Sequence, residues 1–591
     1  MQTASHPARA RRPIATADMT ADCPTLDRVH APRAALRSTV LTALHLLLVS
    51  PVAAQGRHTA HDTHAGAAVA LSVTPAAPGV PLLSGLGDWH RRIPTRVALA
   101  QRYFDQGLRL YYAFNHAEAV RAFREAERLD PDCSMCAWGE AMALGPNINA
   151  PMDSAAEARA RIAARRAGSL ARKTAPDRVE RLLVEAVAAR FLDEHAVTRA
   201  GRDSAYAAAM ARLAERLPGD VDIQALAAEA TMTLSPWTYW DRNGLARPGT
   251  PELLRWLERG LRRAPDHPGA CHFYIHAVEA VHPTRAVGCA ERLARLMPGA
   301  GHIVHMPAHI YIRVGRWADA IEINRHAVHA DNSYFEGSHT SESAFYEAAY
   351  RSHNHHFLVL AAVMAGASAT ALESAGAVLE VISADLARAV PLVQPMLAVQ
   401  VQTLLTFGRF DEVLRTPMPA SDLRIASALF WHARGVAFAA TGRAAEARAT
   451  VDSIRAVAAH LPDGEPRMVL QIAARTVEGE LALRAGDAAA AVAAFREAVA
   501  VEDALSYMEP PTWHYPVRHS LGKALLAANR AADAEQVYRT DLRRFPDNGW
   551  SLKGLALSLS AQGRHTDAEQ AERRLAKAWR LADVALTASR F

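Results

Sequence analysis

YFDQGLRLYYAFNHAEAVRAFREAERLDPD, residues 103–132, carries the spacing that decides the fold. Gly107 is followed by Ala119 after 12 residues, Phe123 after 16, Ala126 after 19 and Pro131 after 24. Small residues at such intervals let two antiparallel helices touch, an aromatic fills the space toward the next hairpin, and Pro or Gly ends the turn. The same ruler fits Trp431, Gly435, Ala447 and Val451, then Gly479, Ala491, Phe495 and Ala498, then Gly522, Ala534, Tyr538 and Pro546. Leu555, Ala556 and Ala568 repeat Leu521, Gly522 and Ala534 at a period of 34, and Ala308, Ala320 and Ala327 keep the spacing mid-chain. Intervals of 44 and 43 between Gly435, Gly479 and Gly522 allow for longer helices or loops in some repeats.

This pattern resembles the tetratricopeptide repeat, W-x2-L-G-x2-Y followed by A-x3-F and P, with Tyr103 in the place of its Trp. The resemblance covers most of residues 95–582, densely in 100–145 and 425–582. It implies an all-α fold, an α-solenoid of antiparallel helix hairpins, and a scaffold whose concave groove holds a protein or peptide partner. The composition agrees, because Ala, Leu and Arg dominate long stretches and aromatics are only 6% of the chain. A length of 591 residues is no obstacle to one such body, since each repeat buries its face on its neighbour.

The expected organisation is a signal peptide over 1–54, a flexible linker over 55–88 and tetratricopeptide-like repeats over 89–145. An irregular helical region over 146–265, central His-rich repeats over 266–420 and C-terminal repeats over 421–591 complete it. Arg33 and Arg37 precede the apolar run TVLTALHLLLV, residues 39–49, and small residues lead to Gln55. A basic flank, a short apolar segment and small residues at a cleavage point predict export to the periplasm or beyond. The alternative is an uncleaved anchor formed by residues 39–49, so a membrane enters only through that signal or anchor segment. The net charge of +5 is spread over arginine-rich helix faces such as RIAARRAGSLARK, residues 161–173, and predicts no nucleic-acid partner. GxxxxGK[ST], GxGxxG and GxSxG motifs in a strand-to-helix setting are absent, so no nucleotide cofactor is expected.

Chemistry concentrates in two HxxxH pairs. His272 and His276 stand in CHFYIHAVE, and His305 and His309 stand 33 residues later in HIVHMPAHIYIR. Residues i and i+4 share a helical face, and one repeat of offset places the pairs on neighbouring hairpins lining the same groove. His302 is a further ligand candidate, and His353, His355 and His356 belong to the next hairpin. The expected metal ligands are His272, His276, His302, His305 and His309. Imidazole-rich ligation suits copper or zinc, with iron if Glu279 joins. Pro307 belongs in a first helical turn, which predicts His305 at a helix start. HFYIH lacks the Glu of HExxH, so the zinc-protease motif is missing.

Two function classes follow. One is an exported scaffold with a His-rich metal site on its concave face. The other is a metal-dependent oxidoreductase or hydrolase built on the repeats, with Glu279 or Tyr274 as acid–base group. An open coordination position would favour the second. Cys133 and Cys136 form a CxxC at an expected helix start, where a thiolate is favoured and redox activity becomes available. A structural disulfide, half a metal site and two packed thiols are the competing readings. Ala137 follows the motif where covalent haem attachment would need His. Counting along the hairpin offsets Cys271 from Cys289 by more than a turn, which predicts free or metal-associated thiols there. The aromatic stretches WTYW at 237–240 and YMEPPTWHYP at 507–516 read first as packing at repeat junctions and second as ligand-binding loops.

Overall fold

The computed structural model describes residues 79–591, apart from 175–177, 193–197 and 338–343. The expected signal or anchor segment and the linker through residue 78 lie outside the described residues. From Ala98–Tyr112 and His116–Leu129 onward the chain runs as consecutive antiparallel hairpins, ending with Gly549–Ala561 and His565–Ala578. Among the described residues there is no strand, only isolated bridges at Asn147–Ala150 and Trp240–Ala246. The all-α solenoid is therefore the observed fold. No described helix is long and apolar enough to cross a membrane.

The glycine ruler has a direct steric meaning. A Cβ on Gly107 would come within 2.7 Å of the Phe123 ring, and one on Gly139 within 2.4 Å of the same ring. Phe123 is thus clasped between one hairpin and the next, with none of its surface exposed. Tyr538 repeats the arrangement between Gly522 and Gly554, at 2.2 and 2.1 Å, and Gly479 meets Phe495 at 2.7 Å. Full burial of such a ring contributes about 1.5–3 kcal/mol relative to exposure, and a side chain on the glycine would forfeit it.

The described part of residues 146–265 carries five helices, Ser154–Thr174, Arg178–Phe191, Arg199–Arg216, Val221–Met232 and Thr250–Arg263. The connection through Thr233–Gly249 is the irregular part, and its aromatics pack inward: Trp240 Nε1 donates to Ala277 O at 2.8 Å and Tyr239 is buried. Residues 79–88 are not loose, as a linker would be. Gly299 N–H donates to Gly85 O at 2.8 Å, Tyr103 OH donates to Val80 O at 2.5 Å, and Leu86 is buried.

The first hairpin closes on the His-rich region through Asp222. Its carboxylate accepts from Trp89 Nε1 at 3.0 Å, Tyr112 OH at 2.6 Å and Arg91 at 3.0 Å, and meets His267 Nε2 at 3.0 Å. Burial opposes its ionisation, yet the His267 hydrogen bond and the Arg91 charge hold the carboxyl well below the usual range. His267 in turn caps helix Pro268–Val278, its Nδ1 accepting from Ala270 N–H at 3.0 Å, while Pro268 occupies the first helical turn. This fixed helix carries the first HxxxH pair.

Candidate metal centre

Helix Pro268–Val278 presents His272 and His276. Helices Gly301–His305 and Pro307–Arg313 present His302, His305 and His309. Pro307 opens its own helix as expected, but His305 ends the preceding one and does not start a helix. Met306 stays in the right-handed helical region, at φ −51° and ψ −36°, so the backbone remains helical across the proline break. The i,i+4 relation survives, with the His305 and His309 ring centres 4.8 Å apart.

All five imidazoles are buried, and so is Glu279. His353, from helix Ser352–Ala365, joins them: its Nε2 lies 3.5 Å from His309 Nε2. His355 and His356, its neighbours in sequence, stay outside the metal-sized groupings, which comprise His272, His276 and His302; His305, His309 and His353; and His276, Glu279 and His309. The five expected ligands are thus joined by His353 in a larger cluster.

Each histidine of the two HxxxH pairs has its Nδ1 committed outward. His272 Nδ1 lies 2.6 Å from Tyr112 O, and a carbonyl only accepts, so this nitrogen carries the proton. His305 Nδ1 faces Asn324 Oδ1 at 2.7 Å, and the Asn324 amide is oriented by its own bond to Ala320 O at 2.7 Å. Glu279 receives the other two, with Oε1 3.2 Å from His276 Nδ1 and Oε2 2.5 Å from His309 Nδ1. Every one of the four rings consequently offers a bare Nε2 to the interior. Those of His276 and His305 have no partner, and that of His272 faces His302 Nε2 at 3.1 Å. Outward Nδ1–H bonds to carbonyl, amide or carboxylate are what orient imidazoles around metals.

Electrostatics disfavour charge on five of these rings. Burial first, and then the neighbouring imidazoles, push His272, His302, His305 and His353 well below the ordinary histidine value. Burial lowers His276 as well, with Glu279 opposing. For Glu279 burial acts the other way, but the neighbouring His309 and the hydrogen bonds from the two imidazoles hold it at about 2. A carboxylate with both oxygens turned to Nδ1 atoms supports these two imidazoles, and Glu279 also forms a metal-sized grouping with His276 and His309.

Tyr274 is also misplaced by the sequence reading. Two residues from His272 and from His276, it points about 200° around the helix, where its hydroxyl donates to Glu258 at 2.8 Å. It takes no part in the cluster. The aromatics that do are Phe114, stacked on His276 and His302, Trp237, edge-on to His276 at 4.9 Å, Phe357 against His305 and His309, and Tyr350, 4.5 Å from His302. Trp237 belongs to the WTYW junction, whose packing role thus extends to the site. Asn324, Tyr112 and Phe114 carried no spacing signal, and His353 is separated from His309 by 44 residues, the longer of the repeat intervals.

Cys133 and Cys136 form a disulfide at the start of helix Ser134–Ala143, and both are buried. Exchange needs a line of attack on sulfur, so burial favours the structural reading of this CxxC. Cys271 and Cys289 are unbridged, but their Sγ atoms are 2.7 Å apart, which overturns the offset counted from the sequence. The short helix Pro283–Ala286 takes up residues in the turn and brings the two thiols level.

The fold and the site together define a helical-repeat protein with a buried polyhistidine cluster. No protein-family model and no curated protein matches the chain. Among solved structures it is similar to a human IFIT1 dimer with m7Gppp-AAAA, at 13% identity and a TM-score of 0.31, covering 83% of this chain and 92% of that one. A monomeric IFIT1 mutant with Gppp-AAAA is similar at 12% identity and a TM-score of 0.31, covering 82% and 91%. Both figures are low, and the ligands named belong to those proteins.

Proposed function

We propose that this chain is a metal-binding scaffold of the tetratricopeptide type, holding transition-metal ions on the histidines of its central repeats. The observation that carries the reading is the common orientation of four buried imidazoles, each fixed at Nδ1 and each offering a bare Nε2. Burying imidazole in such number without ions forfeits hydration and gains little, whereas coordination satisfies every lone pair. For a tetrahedral ion at about 2.0 Å, ligand nitrogens lie about 3.3 Å apart, and the His272–His302 and His309–His353 pairs are at 3.1 and 3.5 Å. Imidazole without directly bound carboxylate or thiolate suits copper or zinc.

Export is part of the same reading, supported by the apolar run at residues 39–49 and its small-residue exit. The repeats supply the surface for a protein or peptide partner. A metal-dependent enzyme is the second reading, favoured by one observation: sets of three imidazoles leave a coordination position open.

Thermal melting of chelator-treated protein tests the proposal. Added copper(II) or zinc(II) should raise the midpoint, since ligand at a hundred times Kd stabilises by about 2.7 kcal/mol. The His272→Ala/His305→Ala double variant should lose that response. An unchanged midpoint in the parent protein contradicts the reading.

A further inference from the structure

The histidines are built up repeat by repeat. His272 and His276, from one hairpin, are completed by His302 from the first helix of the next. His305 and His309, from that second hairpin, are completed by His353 from the first helix of the one after. Each set follows one recipe: an HxxxH pair with both Nδ1 atoms anchored to the scaffold, plus a third imidazole whose ring is bonded only within the cluster. His302 Nε2 meets His272 while its Nδ1 has no partner, and His353 Nε2 meets His309.

Ligand nitrogens lie within 4.8 Å of one another inside each set. Imidazoles sharing a tetrahedral ion at about 2.0 Å hold their ring centres about 5 Å apart. His272 is 4.9 Å from both His276 and His302, and His305 is 4.8 Å from both His309 and His353. The third sides are longer, 6.2 Å for His276–His302 and 5.6 Å for His309–His353, so each triangle is open on one side. The sets abut, with His276 and His309 ring centres 5.3 Å apart and His302 and His305 6.0 Å apart. Glu279 spans the boundary, giving one oxygen to His276 and the other to His309.

Resting on the metal-binding reading above, we infer that the cluster is a dinuclear centre for transition-metal ions. One ion takes His272, His276 and His302, and the other takes His305, His309 and His353. Glu279 couples the halves from outside, because charge placed on either ion polarises an Nδ1–H bond to the same carboxylate. Three protein ligands per ion leave positions free for small ligands, and two adjacent ions of this kind form the geometry that clamps one small molecule between them.

The test is a copper(II) titration of the chelator-treated full chain, read by elemental analysis after desalting and by electron paramagnetic resonance. The parent protein should retain two equivalents, with a spin intensity well below that of two isolated ions. His302→Asn and His353→Asn each remove a ring that no scaffold group holds, and each should retain one equivalent with a full single-ion signal. Circular dichroism and the melting midpoint of each metal-free variant establish that it is folded. A folded parent that retains no copper overturns the metal-binding reading itself. Saturation at one equivalent leaves that reading standing and overturns the dinuclear one. Two equivalents with additive, uncoupled spectra, or two retained in both variants, overturn it equally.

Discussion

Glu279 Oε2 lies 2.5 Å from His309 Nδ1, joining the end of one repeat's first helix to the first helix of the next. The partner oxygen is held by His276, so one buried carboxylate orients a ring from each HxxxH pair. The 33-residue offset in the sequence becomes a shared hydrogen-bond acceptor in the fold.

Replacing Glu279 by Gln keeps the shape and removes the charge. An amide offers one acceptor where two Nδ1–H groups need one each, so one imidazole loses its orientation. Loss of such a support lowers metal affinity by about 10–100-fold. Competition against a chelator of known affinity measures it, and an affinity equal to the parent's contradicts the role assigned to Glu279.

Gly522→Ala places a methyl group against the Tyr538 ring, at a site where a Cβ would lie 2.2 Å away. Overpacking of this sort costs about 1–3 kcal/mol. Gly107→Ala against Phe123 should behave alike. Chemical denaturation of each variant checks both, and wild-type stability would show that the hairpins do not need these close approaches.

The repeat ruler was legible because hairpin packing is local: Gly107 and Phe123 meet 16 residues apart, within reach of any spacing argument. The HxxxH pairs were legible for the same reason. Other parts depended on contacts that spacing cannot supply. Tyr112 O holds His272 across 160 residues, and Phe114 reaches the cluster from the first hairpin. His353 was visible in YRSHNHHFL, but only the longer repeat turns it, and not His355 or His356, toward His309. Tyr274 failed because its position two residues from each ligand faces away on a helix.

Acid should destabilise the metal-free protein from pH 6.5 downward. Burial lowers His116 and His356 to about 4 and His432 to about 3. Unfolded, each takes up a proton near pH 6.5; folded, each stays neutral until its lower value is reached. The unfolded state therefore binds more protons in the window between, and each group weakens the fold by about 1.4 kcal/mol per pH unit there. Glu127, Asp331 and Glu502, whose carboxyls burial raises to about 7, 7 and 8, act the opposite way. The buried histidines held low outnumber the buried carboxyls held high, so denaturation midpoints measured from pH 6.5 to 4.5 should fall, and a flat profile contradicts this.

Mild oxidation should join Cys271 to Cys289, whose sulfur atoms are already 2.7 Å apart. Thiol titration under denaturing conditions, before and after treatment with hydrogen peroxide, an oxidant small enough to reach buried sulfur, should show the loss of both thiols together. Retention of both as free thiols would show that the native packing keeps them from bonding. Because Cys271 precedes His272, closure is expected to leave helix Pro268–Val278 in place.

The central claim is that the buried histidines hold metal. Elemental analysis of protein purified without chelators, compared with a His276→Ala/His309→Ala variant prepared identically, addresses it most directly. The account predicts stoichiometric copper or zinc in the parent and its loss from the variant while the helical content is unchanged. A folded parent protein without stoichiometric metal, or a variant that retains the parent's full complement, contradicts it.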